Sequence, residues 1–157
     1  MAWSVLHWLL PAILLLLLLS AGIEDARRRE IANWKNAAIA LLAVPWWIAN
    51  GLTFWPDIVI QIGIALVVFA LFAAAFHFGM MGGGDVKMIG ALALWFPFQP
   101  LVTMLIIMSL AGGAITLLML IDKWLRRQSA QPEVPYGIAI AIAALLTLRE
   151  PILNHFS

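Results

Sequence analysis

The sequence predicts an all-α protein that lies in a membrane as a polytopic bundle of about six transmembrane helices. Apolar residues make up 64% of the 157 positions and charged residues only 11%, which is far from the mixture found in a soluble globular domain. Several apolar runs also approach the roughly 20 helical residues that are needed to cross the hydrocarbon core of a bilayer. We therefore expect the lipid bilayer to be the solvent, and residues 1–157 to form a single membrane domain.

Six apolar runs, bounded by charged residues, proline and glycine, mark the predicted spans. They are Trp3–Gly22, Ala37–Leu52, Ile58–Phe78, Val86–Phe96, Leu101–Ile121 and Tyr136–Leu148. The fourth run is short for a full crossing at about 1.5 Å per residue, so we expect it to tilt, to continue through Pro97 or to thin the bilayer. In the fifth run, Gly112 and Gly113 are small residues that allow neighbouring helices to approach closely.

The positive charges predict the orientation of this bundle. With six alternating spans, the loops at residues 24–36, 79–85 and 122–135 all lie on one side of the membrane. All of the nine Lys and Arg residues except Arg149 fall in these loops or next to them. Because Lys and Arg gather in short cytoplasmic loops, we expect this side to be cytoplasmic and both termini to be non-cytoplasmic. The arginines also follow the first apolar run instead of preceding it, so we interpret that run as a retained span and not as a signal peptide.

The composition excludes several classes of function. The net charge is only +1, without a basic cluster interleaved with exposed aromatic residues, so nucleic-acid binding is not expected. Cysteine is absent, which excludes thiol nucleophiles, disulfides and cysteine-based zinc sites. His7, His77 and His155 are scattered, so no metal site is predicted and no cofactor is expected. No serine lies in the G-x-S-x-G context of a nucleophile elbow.

Two aspartates at the cytoplasmic ends of spans are the candidate functional residues. Asp25 follows the first span, and Asp85 follows three consecutive glycines, Gly82, Gly83 and Gly84. Ionisable residues near membrane depth are costly and are functional candidates by default. The glycines leave the backbone free to adopt positive φ and allow a substrate strand to approach. Two plainer interpretations stay open: Asp25 as a solvated acid in a charged interfacial turn, and Asp85 as the N-cap of a helix.

Two carboxylates placed together would form a hydrolytic site. Like charges a few ångströms apart cannot both ionise easily, so the pair shares one proton. One carboxylate then acts as a base on water, while the protonated one polarises the scissile carbonyl, and together they return a proton to the leaving amine. A non-enzymatic alternative is a transporter or proton-relay subunit in which the same acids carry ions. A structural assembly subunit, which would tolerate loss of either acid, is a third.

Three segments resemble type IV prepilin peptidases, and they occur in the order of that family. Residues 82–87, Gly-Gly-Gly-Asp-Val-Lys, resemble the GxGD signature, which presenilin and signal peptide peptidase share in short form. Asp25 resembles the family's first catalytic aspartate, and residues 25–33 resemble its D-x-R-x-R-x-I-P-N segment, with Ala32 in place of the proline. Pro135, Tyr136 and Gly137 resemble the P-Y-G that opens the family's last helix.

The resemblance implies a six-helix aspartic endopeptidase with Asp25 and Asp85 as its catalytic residues. Such an enzyme cuts the short, positively charged leader of prepilins after a glycine, at the cytoplasmic face of the bacterial inner membrane. The residues that the resemblance assigns to substrate binding or loop shape are Gly82, Gly83, Gly84, Lys87, Asn33, Pro135, Tyr136 and Gly137. The chain looks like the compact form that serves tight-adherence (Flp-type) pili, with a type II secretion pseudopilin or an archaeal-type substrate as alternatives. Because the cysteine-bearing segment of larger, N-methylating members is missing, we do not expect methyl transfer.

Some charged residues near the two aspartates keep two interpretations each. Glu24, Glu30 and Glu133 either attract the basic leader or balance the nearby arginines in solvent. Lys87 either steers the Asp85 carboxylate or extends to lipid headgroups.

Overall fold

A computed structural model describes residues 2–126 and 136–153 of the chain, and within these ranges it contains helices and no strands. The helices are α1 (Ala2–Arg28), α2 (Asn33–Ala49), α3 (Val59–His77), α4 (Gly83–Ala93), α5 (Phe98–Arg126) and α6 (Tyr136–Leu153). A short kinked π-type turn, Phe54–Ile58, precedes α3. The prediction of an all-α helical bundle is therefore confirmed.

Three segments are long and apolar enough to cross a membrane by themselves, namely Val5–Arg28, Phe54–His77 and Phe98–Asp122. A fourth apolar helix, Tyr136–Leu148, is shorter. The predicted ends were less accurate than the predicted helices: α2 begins at Asn33 instead of Ala37, and α4 begins at Gly83 instead of Val86. An apolar run ends where polar residues begin, whereas a helix continues through polar residues as long as their backbone groups and side chains find partners.

Helix α4 lies at the centre of the bundle and contacts α2, α3 and α6. Its side chains Met88, Ile89 and Leu92 are completely buried. With 11 residues, it is only about 16 Å long. It does not continue through Pro97, because it ends at Ala93. Since protein surrounds α4, the thickness of the bilayer does not set its length.

Side chains from α2 and α3 satisfy the carbonyl end of α4. The last carbonyls of a helix have no partners within the helix, and inside a membrane they cannot turn to bulk water. The Gln61 side-chain amide donates hydrogen bonds to the carbonyl oxygens of Ala93 (2.6 Å) and Phe96 (2.7 Å). The indole N–H of Trp47 donates to the carbonyl oxygen of Leu94 at 2.8 Å. These bonds explain why Gln61 and Trp47 are buried.

The close approach predicted around the two glycines of α5 is correct for one of them. A Cβ atom on Gly112 would lie 3.0 Å from the ring of Tyr136, so the glycine allows the start of α6 to pack on α5. A Cβ atom on Gly113 would meet nothing within 4 Å. The prediction for Gly113 is therefore wrong, because this residue is on an unpacked face of α5.

Candidate active site

Asp25 lies in the last turn of α1 and is bound by the first turn of α6. Its Oδ2 atom accepts a hydrogen bond of 2.9 Å from the backbone N–H of Gly137, the second residue of α6. The free N–H groups and the dipole at a helix N-terminus favour a negative charge there. Asp25 is only 5% exposed. The interpretation of Asp25 as a solvated interfacial acid is therefore wrong.

Position 137 requires glycine because its backbone lies directly against the Asp25 side chain. A Cβ atom at position 137 would lie 2.9 Å from the Cβ, Cγ and Oδ2 atoms of Asp25, closer than carbon atoms can pack without displacement. The neighbouring Tyr136 ring rests on Gly112 of α5, which fixes the start of α6 on the other side. Pro135, the first residue of the same motif, lies outside the described residues.

Asp85 lies in the first turn of α4 and turns back toward its N-terminus. The N-cap of α4 is Gly82, and the backbone N–H of Gly82 donates to the Asp85 carboxylate. The N-cap interpretation of Asp85 is therefore wrong, although the residue does satisfy a free N–H of its helix. The carboxylate also fills the space beside Gly82, where an added Cβ atom would lie 3.0 Å from Oδ2.

The glycines before Asp85 adopt ordinary backbone angles. Gly82 has φ −74° and ψ 147°, and Gly83 and Gly84 are helical. The expected positive φ occurs instead at Gly79, earlier in the same loop. The three glycines therefore allow neighbouring side chains to pack closely against the backbone at the start of α4. At Gly84, an added Cβ atom would lie 3.2 Å from the side chain of Ile31.

The negative charge of Asp25 affects the protonation of Asp85. Asp85 is 6% exposed and precedes the apolar run Val86–Phe96 that we interpret as the span. Burial and, to a smaller extent, the negative charge of Asp25 raise the pKa of Asp85 to about 7, against the hydrogen bond from Gly82. Such an effect of one carboxylate on another requires that they be close. Near neutral pH the pair can therefore hold a single proton.

The loop between α1 and α2 is fastened by an ion pair between the buried Lys35 and the half-buried Glu24. The Lys35 ammonium lies 2.9 Å from Oε2 of Glu24 and donates to the carbonyl oxygen of Ser20 at 3.1 Å. Glu24 is thus paired with a lysine, a partner that neither of the two interpretations given for it named. The same Oε2 accepts a hydrogen bond of 3.2 Å from the backbone N–H of Ala32, a donor that the proline of the family pattern would lack.

The start of α2 is also tied to the start of α4, on either side of Asp85. The Asn36 side-chain amide donates to the carbonyl oxygen of Gly84 at 3.2 Å. The Lys87 ammonium donates to Oδ1 of Asn33 at 2.8 Å. Lys87 is therefore directed at Asn33, which neither of its two predicted roles anticipated. The roles of Lys35 and Asn36 were not predicted from the sequence. Their position just before an apolar run could have indicated that their side chains bind polar groups of neighbouring segments.

The described residues offer no obvious place for a metal ion. Within residues 2–126 and 136–153, no three His, Asp or Glu side chains come together in a ligand set. His77 is exposed at the end of α3, and its ring lies edge-on to that of Phe78 with 5.6 Å between the ring centroids.

A comparison with known families matches this region of the chain. The profile of the type IV leader peptidase family matches residues 12–117, more than half of the chain and a range that includes both aspartates. No curated protein gives a significant match. No solved structure gives one either.

Proposed function

The chain belongs to the type IV leader peptidase family, and on this premise we propose that it is an aspartic endopeptidase that removes the leader of Flp-type prepilins. We place this reaction at the cytoplasmic face of the bacterial inner membrane, with both chain termini on the opposite side. Asp25 and Asp85 are the catalytic pair. The observation that supports this assignment is that two buried carboxylates from different helices lie close enough for one charge to raise the pKa of the other.

The surroundings of the two acids suggest different roles for them. The N-terminus of α6 stabilises the negative charge of Asp25, which suits a base. Asp85, with its raised pKa, suits the protonated partner, which donates a hydrogen bond to the scissile carbonyl oxygen. Asp25 takes a proton from water as the oxygen of that water bonds to the carbonyl carbon. Asp85 passes its proton to the carbonyl oxygen in the same step, which gives a gem-diol. When the C–N bond breaks, the proton held by Asp25 passes to the leaving amine, and a hydroxyl proton of the gem-diol returns to Asp85.

The position of the acids argues against an ion-relay role. A carrier of ions would need its carboxylates near the middle of the membrane. Asp25 lies in the last turn of α1 and Asp85 in the first turn of α4, so both are at helix ends. In that position they can reach a peptide that emerges from the bilayer. Glu30 is exposed in the same region and is our candidate for attracting the basic leader.

Cleavage of a prepilin tests this proposal directly. A Flp-type prepilin from the same genome is co-reconstituted with the wild type, with Asp25→Asn and with Asp85→Asn, and leader removal is followed by mass spectrometry. Both variants are expected to lose cleavage, because an amide can serve neither as the base nor as the acid of the pair. Asp57→Asn is the control, since Asp57 is an exposed acid before α3 that accepts hydrogen bonds from Thr53. Normal leader removal by either of the first two variants would refute the assignment.

A further inference from the structure

An open groove of about 480 Å³ lies between α2, α3 and α4. Most of its wall is apolar, with Ala37 and Ala40 of α2 facing Ile62 and Leu66 of α3. One end is polar and is formed by Asn33, Asn36 and Lys87. A site with this profile suits a ligand that is apolar along most of its length and polar at one end.

The polar end contains a buried hydrogen-bond acceptor without a partner. Asn36 is 5% exposed, and its Oδ1 atom accepts no hydrogen bond within the described residues. Its amide cannot simply be turned around, because Oδ1 would then face the carbonyl oxygen of Gly84, which Nδ2 now binds. A buried acceptor that stays unpaired is costly. Asn36 therefore places an unpaired acceptor in the polar wall of the groove.

The groove runs along α4, the helix that carries Asp85. Lys87, Gly90, Ala91 and Leu94 of this helix line the groove, and Asp85 lies in the first turn of the same helix. The Nδ2 atom of the same Asn36 side chain donates to the carbonyl oxygen of Gly84, the residue directly before Asp85. A chain lying in the groove with its polar end at Asn36 would thus reach the end of α4 that carries Asp85.

We propose that this groove binds the apolar segment of the peptide substrate, and that Oδ1 of Asn36 accepts a hydrogen bond from a substrate backbone N–H next to the scissile bond. The proposal rests on the proposed peptidase function and names where its substrate lies. Small residues in the wall, such as Ala37, Ala40 and Gly90, allow a helix to approach closely. A peptide leaving its helix for the active site has an unpaired N–H at each residue, and in a membrane it needs acceptors for them. The acyl chains of a lipid have no such donor.

Two neighbouring residues of α3 provide a matched test of the occupant. Leu66 lines the groove and Val67 does not, yet both are well exposed, at 63% and 70%. A photocrosslinking benzoylphenylalanine replaces either residue in the Asp85→Asn protein, which is then reconstituted with a Flp-type prepilin. We expect the prepilin to be crosslinked from position 66 and not from position 67. Crosslinking of lipid alone from position 66, or equal prepilin crosslinking from both positions, would overturn the proposal.

Kinetics on the active enzyme test the same surface without a crosslinker. Leu66→Trp is expected to raise the KM for the prepilin about tenfold with little change in kcat, because the added bulk removes binding space far from the reacting atoms. Val67→Trp should leave both constants unchanged. If the two tryptophan variants behave alike, the groove is not the binding site. This outcome differs from failure of the proposed function, in which the wild type would not cleave the prepilin at all.

The role of Asn36 is tested from the substrate side, because Asn36→Ala also removes the bond to Gly84. Prepilins carrying an ester in place of one amide, moved stepwise around the scissile bond, each lack a single N–H. For one of these positions, the wild type is expected to lose about fivefold to tenfold in kcat/KM, the usual effect of one hydrogen bond. The Asn36→Ala variant should show no further loss with that same ester. Equal losses in both proteins at every position would show that Asn36 does not accept a substrate N–H.

Discussion

The backbone N–H of Gly137 donates a 2.9 Å hydrogen bond to Oδ2 of Asp25, so the first turn of α6 holds the carboxylate at the end of α1. These two residues are far apart in the sequence, and the glycine is what permits the contact. Any larger residue at position 137 would occupy the space of the Asp25 side chain. The last helix therefore takes part in the site without supplying a catalytic group.

Replacement of Gly137 by alanine is the most direct test of this relationship. The added Cβ atom would lie 2.9 Å from three atoms of Asp25, so we expect Gly137→Ala to lose most of its prepilin cleavage. Such overpacking should also lower the free energy of unfolding by about 1–3 kcal/mol. The control is Gly113→Ala, where the added atom meets nothing within 4 Å. Cleavage assays and unfolding in detergent should separate the variants, and equal activity would contradict the proposed packing.

Cleavage should depend on pH through Asp85. The pKa of Asp85 is raised to about 7 by burial and by the charge of Asp25. Below this pH Asp85 carries the proton that it offers to the scissile carbonyl, and above it both acids are charged. We therefore expect kcat/KM to fall as the pH rises through about 7, and to fall again at acid pH when Asp25 becomes protonated. A rate that stays constant from pH 5 to pH 9, about two units on either side of the shifted pKa, would not fit a shared proton.

Loss of the Gln61 side-chain amide should destabilise the centre of the bundle. Gln61→Leu removes the donor for the carbonyl oxygens of Ala93 and Phe96, which then stay buried and unpaired. We expect a loss of about 2 kcal/mol in the free energy of unfolding. Gln99→Leu serves as the control, because Gln99 is exposed near the start of α5. If both substitutions have the same small effect, the carbonyl end of α4 is satisfied in some other way.

Introduction of the family proline at position 32 should be tolerated. Ala32 has φ −59° and ψ 131°, which are angles that proline adopts readily. The substitution removes one hydrogen bond to Glu24 but also reduces the freedom of the unfolded chain. We therefore expect Ala32→Pro to change the free energy of unfolding by less than about 1 kcal/mol and to retain cleavage. A large loss of either would show that the N–H of Ala32 is essential to the loop.

The sequence was informative where a residue type has only one physical explanation. Long apolar runs need lipid or a core, so the six helices could be predicted. The close packing of the glycines before Asp85 could not, because glycine also permits positive φ or the approach of a substrate. Hydropathy does not distinguish a helix that faces lipid from one that faces protein, so the central position of α4 could not be predicted. The partners of Gln61 and Asn36 could not be predicted either. A buried polar side chain requires a partner, but the partner here is backbone brought in by another helix.

The enclosure of α4 has a consequence for the depth of the active site. Its far end is held by Gln61 and Trp47, and its near end by Asn36. The depth of Asp85 in the membrane is thus set by hydrogen bonds from these side chains to α4, and not by the position of the lipid surface. Bilayers built from shorter or longer acyl chains would tilt the outer helices, yet they would leave the distance from Asp85 to its protein neighbours the same.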